Sequence, residues 1–191
     1  MKRQIWISTL LLAGLASTGW TESAAANATA ATDPEGSAAE QGQANLAPFK
    51  QQLMGALKAG MAQGPDQAID VCRLQAPAIA ADLSDEQISV GRTSHRLRNP
   101  DNAGPDWATA VLQDYLSSEE GWEPQVVDLP GNRTGYVEPI VTQPLCLTCH
   151  GSDLAPPVAE ALATAYPEDQ ATGFEAGDLR GVFWVSFDTD D

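Results

Sequence analysis

Leu46, Phe49, Leu53, Leu57 and Met61 recur at steps of three and four, the period of a helix with one apolar face. They predict a first helix that ends near Gln63-Gly64. Pro65-Asp66 opens a second helix, since proline is tolerated in a first turn, and Ile69, Cys72, Ala76, Ile79 and Leu83 form its apolar stripe. Pro77 has no N–H to give and is expected to kink or interrupt that helix. The stripe aims Cys72 at the core, or at something held in the core. Ile88 to Ser94 has the composition of a strand, and Arg98-Asn-Pro-Asp-Asn102 that of a turn. Trp107, Val111, Leu112 and Tyr115 predict a third helix after Gly104-Pro105. Val126 to Leu129, a turn over 130–135, and Tyr136 to Gln143 read as a hairpin. Pro156-Pro157 opens a short helix to about Tyr166, and Gly181 to Phe187 is an apolar closing strand. Helices come first and strands predominate afterwards, the order of an α+β domain.

The first residues follow a different pattern. Lys2 and Arg3 precede an apolar run from Ile5 to Ala16, and small residues follow over 23–28. This is the arrangement of a secretory signal, here assigned to 1–26, with Ala24-Ala25-Ala26 or Ala26-Asn27-Ala28 as the cleavage site. The apolar run falls short of the ~20 residues a membrane span needs, so a cleaved signal is favoured over an uncleaved anchor. Residues 27–45 are rich in Ala, Thr, Ser, Glu, Gln and Gly and bury little, which predicts a disordered linker before a folded domain over 46–191. A net charge of −16 argues against nucleic acid and anionic membrane surfaces, and favours solubility and a basic redox partner of unknown identity.

Export changes the meaning of Cys146-Leu-Thr-Cys-His150. Two thiols separated by two residues and followed at once by histidine form the c-type haem attachment motif. One turn of chain lets Cys146 and Cys149 each form a thioether with a haem vinyl group and delivers the His150 imidazole to the iron. The same residues could hold zinc only by recruiting Cys72 or His95, and no second CxxC completes a zinc ribbon. Covalent attachment of this kind takes place outside the cytoplasmic membrane in bacteria, which places the chain in the periplasm with one haem c.

The second axial ligand is less directed. Met54 and Met61 precede the motif and no methionine follows it, so the order of the commonest small c-type cytochromes fails. Cys72, His95, Met54, Met61, water or an open position remain. Cys72 has the best case: it is unpaired once the haem takes the other two cysteines, and ligation would protect a thiol in an oxidising compartment. A buried cysteine acting as a small hydrophobe is the plain alternative. His95 lies in the basic run Arg92 to Arg98 and reads as surface-exposed. Arg92, Arg96 and Arg98 suit the two haem propionates, or else nearby Asp101 and Asp106.

Several stretches together resemble a known family. These are Ala68-Ile-Asp-Val-Cys72 with Ala76-Pro-Ala-Ile-Ala80, Gly91-Arg-Thr-Ser94 with Leu97-Arg-Asn-Pro-Asp-Asn102, the segment Glu138 to Gly151 that contains the motif, and Gly177-Asp-Leu-Arg-Gly181. They resemble the bacterial mono-haem c-type domain with a PAS-like fold and His/Cys axial haem ligation, a family known as a domain without assigned function. The resemblance implies a central antiparallel sheet with helices on one side, and Cys72 as the ligand opposite His150. It matches Arg92 and Arg98, while His95 stands where an apolar residue is expected. The functions that follow are low-potential electron transfer or redox sensing. The alternative is a sensor of carbon monoxide or nitric oxide that opens its site when Cys72 is lost on reduction. Enzymatic, peroxidase-like activity ranks last.

Overall fold

The computed structural model describes residues 37–118 and 121–189. The expected signal peptide over 1–26 lies outside them. Among the described residues no helix is long and apolar enough to cross a membrane.

The chain enters the fold through helix α1, Ala38–Gln63, eight residues before the expected start of the folded domain at 46. The reason is a capping box. The Ser37 hydroxyl accepts from the Glu40 backbone N–H at 3.3 Å, and the Glu40 carboxylate accepts from the Ser37 N–H at 2.7 Å. Composition alone reads 38–45 as unstructured, but the two reciprocal bonds satisfy first-turn donors and let the helix start there.

Helix α2, Pro65–Asp70, runs into a π-helical turn, Val71–Gln75, and then into α3, Ala76–Asp82. In that turn the Ala76 N–H reaches back five residues to the Val71 carbonyl. Pro77 is the cause: it lacks the N–H that the Arg73 carbonyl would accept in a regular helix, and its ring would crowd that carbonyl. The expected interruption is therefore one extra residue wound into a wider turn, a form often found at functional sites. Cys72 sits on it.

Strands β1 (Ile88–Thr93), β2 (Gln125–Leu129), β3 (Arg133–Val141) and β4 (Leu179–Asp188) form one antiparallel sheet in the order β1-β4-β3-β2. Its two faces carry different helices. Tyr136, Val185, Phe187 and Val90 pack with Leu46, Phe49 and Leu53 of α1 and with Ala76 of α3. The alternate residues Val137, Val182 and Leu179 pack with Val111, Leu112 and Tyr115 of α4, Asp106–Ser117. The expectation of helices on one side is thus corrected. Alternation along the central strands makes both faces apolar, so both must be covered.

Strand β4 breaks its alternation once. Ile140 pairs with Gly181 but Val141 pairs with Leu179, so Arg180 is an extra, bulged residue. Gly181 takes φ +155° there, and a Cβ on it would fall 2.1 Å from the Thr93 carbonyl oxygen. Gly181→Ala is expected to destabilise the fold by roughly 2–4 kcal/mol, read as a lowered midpoint in urea unfolding; an unchanged midpoint would show that the bulge is not constrained.

Candidate functional site

The apolar stripe of α1 does two jobs along its length. Its first part, Leu46, Phe49 and Leu53, is buried against the sheet. Its later part, Leu53, Met54, Leu57 and Met61, lines a cavity of about 1250 Å³ with its open mouth included. Ile69 and Cys72 of the α2 segment, Arg92 of β1, Ile140 of β3, Arg180 and Phe183 of β4, and Leu162 and Tyr166 at the end of α6 (Pro156–Ala165) add to the wall. Cys146, Cys149 and His150 enter the same cavity from a 3₁₀ turn, Pro144–Cys146, and a single helical turn, α5, Leu147–His150. All three cysteines are free thiols and half-buried.

The motif is held by a strap of backbone over residues 169–174. The Phe174 N–H donates to the His150 carbonyl and the Gly173 N–H to the Gly151 carbonyl, both at 2.9 Å. His150 Nδ1 lies 2.7 Å from the Ala171 carbonyl oxygen, which can only accept, so Nδ1 carries the proton. The Nε2 lone pair is left free, the arrangement in which metal-bound histidines are held by a carbonyl on their other nitrogen. Burial, followed by the nearby Arg180 and Arg98, pushes the imidazole pKa down to about 2 and keeps the ring neutral. Burial also raises the Cys149 thiol above its ordinary pKa.

Two arginines from the basic run secure the strap. Arg98 is only 8% exposed and pairs with Asp169 at 3.0 Å, not with Asp101 or Asp106. Its other nitrogen donates to the carbonyls of Cys149 and Ala171. Asp169 in turn accepts from the Ala171 N–H at 2.7 Å, so one ion pair fixes the carbonyl that orients His150. Arg96 donates to the Gln170 and Thr172 carbonyls and lies 4.4 Å from the centre of the Phe174 ring. Arg98 lines the cavity, yet much of its guanidinium is already committed to this brace.

Arg92 differs: among the described residues its guanidinium has no hydrogen-bond or ion-pair partner, and it faces the cavity. Arg180 joins it. It donates to Ser94 Oγ at 2.7 Å and has no carboxylate within ion-pair distance among the described residues. Burial, then repulsion from Arg92 and Arg98, lowers its pKa to about 10, which leaves it charged at neutral pH. Lys50 also lines the wall but is bound to Glu138, which accepts from the Tyr136 hydroxyl at 3.1 Å. Burial and this carboxylate push the Tyr136 phenol up to about 12. In a chain of net charge −16, the described residues of the cavity wall include three arginines and a lysine and no Asp or Glu. Such a lining suits a large apolar ligand with anionic groups.

His95 does not reach this cavity. It is half-buried, less exposed than expected: the ring packs edge-on against Phe174 at 5.8 Å, and its buried Nδ1 has no hydrogen-bond partner among the described residues. Burial, then Arg96 and Arg180, lowers its pKa. Met54 and Met61 both line the cavity, as Cys72 does.

The Tll0287-like family matches residues 21–187. The chain belongs to the Tll0287-like family. Its fold is similar to that of the cyanobacterial heme-protein Tll0287 in a crystal structure, with a TM-score of 0.54 and 23% identity over 78% of this chain and 92% of that one. At that identity the likeness concerns the fold. No protein of curated function matches the sequence.

Two parts of this Tll0287-like site have no mark in the hydrophobic pattern. Strict alternation would put Arg180 on the α4 face with Val182 and Trp184. The bulge resets it to the face of Phe183, and only the glycine at 181 hints at it. The strap Asp169-Gln-Ala-Thr-Gly-Phe174 reads as an ordinary polar loop, because its work is done by backbone groups.

Proposed function

We propose that this chain is a periplasmic mono-haem c-type cytochrome-like protein, acting in low-potential electron transfer or redox sensing, with His150 and Cys72 as axial ligands. One observation carries the reading. One cavity gathers both CxxCH sulfurs, a neutral His150 with its Nε2 free, a third thiol, and arginine charge with no acidic residue among the described residues of its wall. The fold relative Tll0287 is a heme-protein, which supports the same reading.

The bound group supplies a one-electron iron couple. The residues do the rest. Cys146 and Cys149 would hold the group covalently, since each thiol can add its S–H across a vinyl double bond with no atom or electron left over. The Ala171 carbonyl and the Arg98–Asp169 pair hold the His150 ring at a fixed orientation. Cys72 would hold the iron through an anionic sulfur, which would favour the ferric state and a low potential. Arg92 and Arg180 would pair with its propionates, while Arg98 chiefly braces the motif. Leu53, Leu57, Ile69, Leu162 and Phe183 would exclude water from the bound group. This is the PAS-like, sensor-type arrangement used as a carrier or switch, and not as an enzyme. Its acidic surface favours a basic partner.

The discriminating experiment is reduction of the haem-loaded full chain under carbon monoxide. The carrier reading expects a ferrous protein that stays six-coordinate, binds the gas poorly, and has a midpoint potential below those of His/Met cytochromes. Prompt and saturating gas binding would instead assign the gas-sensor role.

A further inference from the structure

We propose that Met61 replaces Cys72 as the axial ligand when the site is reduced, making the cavity a two-position sulfur switch. The inference rests on the His150/Cys72 reading of the same site and concerns what happens when the oxidation state changes.

Three observations meet at this point. The chain has three methionines, and the two in the folded part, Met54 and Met61, both line the cavity beside Cys72. Helix α1 abuts the α2 segment at Gly60, where a Cβ would lie 3.0 Å from the Ala68 Cα and 3.0 Å from Val71 Cγ2. Met61 and Cys72 each follow one side of this contact in sequence, so their backbones adjoin, and both residues line the cavity. Met54, almost two turns earlier on α1, is 46% exposed. Finally, Cys72 is carried on the π-helical turn, whose extra residue can be taken up without unwinding α2 or α3. Leu74 on the same turn is 56% exposed, so its outer side is not packed in place.

The chemistry gives the direction. An anionic thiolate favours ferric iron, whereas a neutral, soft thioether favours the ferrous state. One electron from a one-electron donor therefore inverts the preference between two sulfurs already at the cavity. Cys72 leaves with the bonding pair as thiolate and takes a proton from solvent, and the Met61 Sδ lone pair occupies the vacated position. Reoxidation runs the exchange backwards, with the electron and the proton returned.

The test uses the haem-loaded full chain reduced with dithionite. The ferrous wild type should be low-spin, with a methionine methyl proton resonance shifted strongly upfield by the ring current. Met61→Leu, close to Met in volume, should keep the ferric spectrum and lose that resonance. Its ferrous form should become five-coordinate and bind carbon monoxide at least about tenfold more tightly, because the competing ligand is gone. Absence of the resonance from the wild type overturns the proposal. So does its persistence in Met61→Leu, or its loss from Met54→Leu instead. Failure of the underlying reading has a separate signature, an unchanged ferric spectrum in Cys72→Ala.

Discussion

Replacing Cys146 and Cys149 together by serine is expected to abolish covalent haem attachment. The intact mass of the matured chain should equal that of the polypeptide alone, and haem should be extracted completely by acidified organic solvent. The effect is all-or-none because the hydroxyl of serine does not add across the vinyl double bond as the thiol does. His150, Arg92 and Arg180 remain in place in this variant, since the strap holds the motif through backbone atoms and not through either thiol. Some haem should therefore still bind reversibly before extraction. Haem that stays on the chain through denaturation would contradict the assignment of these two cysteines.

Removing the third thiol should change the electronics and not the loading. In Cys72→Ala the midpoint potential is expected to rise by about 120 mV or more, the equivalent of a hundredfold ferric preference at about 59 mV per tenfold. Cys72 is half-buried and outside the buried clusters that hold the helices to the sheet, so the substitution should cost little stability. A potentiometric titration checks it. A potential within error of the wild type would remove Cys72 from the iron and leave it as a small buried hydrophobe.

Much of the site is plain in the sequence. The spacing of Cys146, Cys149 and His150 fixes a local geometry, so it survives any uncertainty about the fold. The period of three and four in Leu46 to Met61 and the closing apolar strand reflect local rules, and those elements form there. The hairpin forms too, but its turn is shorter than expected, over 130–132, with β3 already under way at Arg133 and ended at Val141. The start of α1 is legible as well, in Ser37-Ala-Ala-Glu40, but the surrounding small residues conceal it.

What is not legible depends on contacts between distant segments. Hydrophobic period alone makes Leu57 and Met61 core residues, because an apolar cavity wall and an apolar core have the same pattern. Arg98 and Asp169 are far apart in the chain, and nothing near Arg98 announces that its partner is there and not at Asp101. Arg180 reaches the cavity only because one bulge reverses the parity of β4. His95, in a run of arginines, reads as exposed, yet its ring lies against Phe174 because the strap folds back over it. Each of these is a case of tertiary packing overriding a local signal.

The central claim is the pairing of His150 with Cys72 in one ferric site. The most direct measurement is the electron paramagnetic resonance spectrum of the ferric, haem-loaded full chain, recorded beside Cys72→Ala. A low-spin, thiolate-type signal is expected in the wild type, and it should disappear on substitution. A wild-type signal that is high-spin, or one left unchanged in Cys72→Ala, would contradict the pairing.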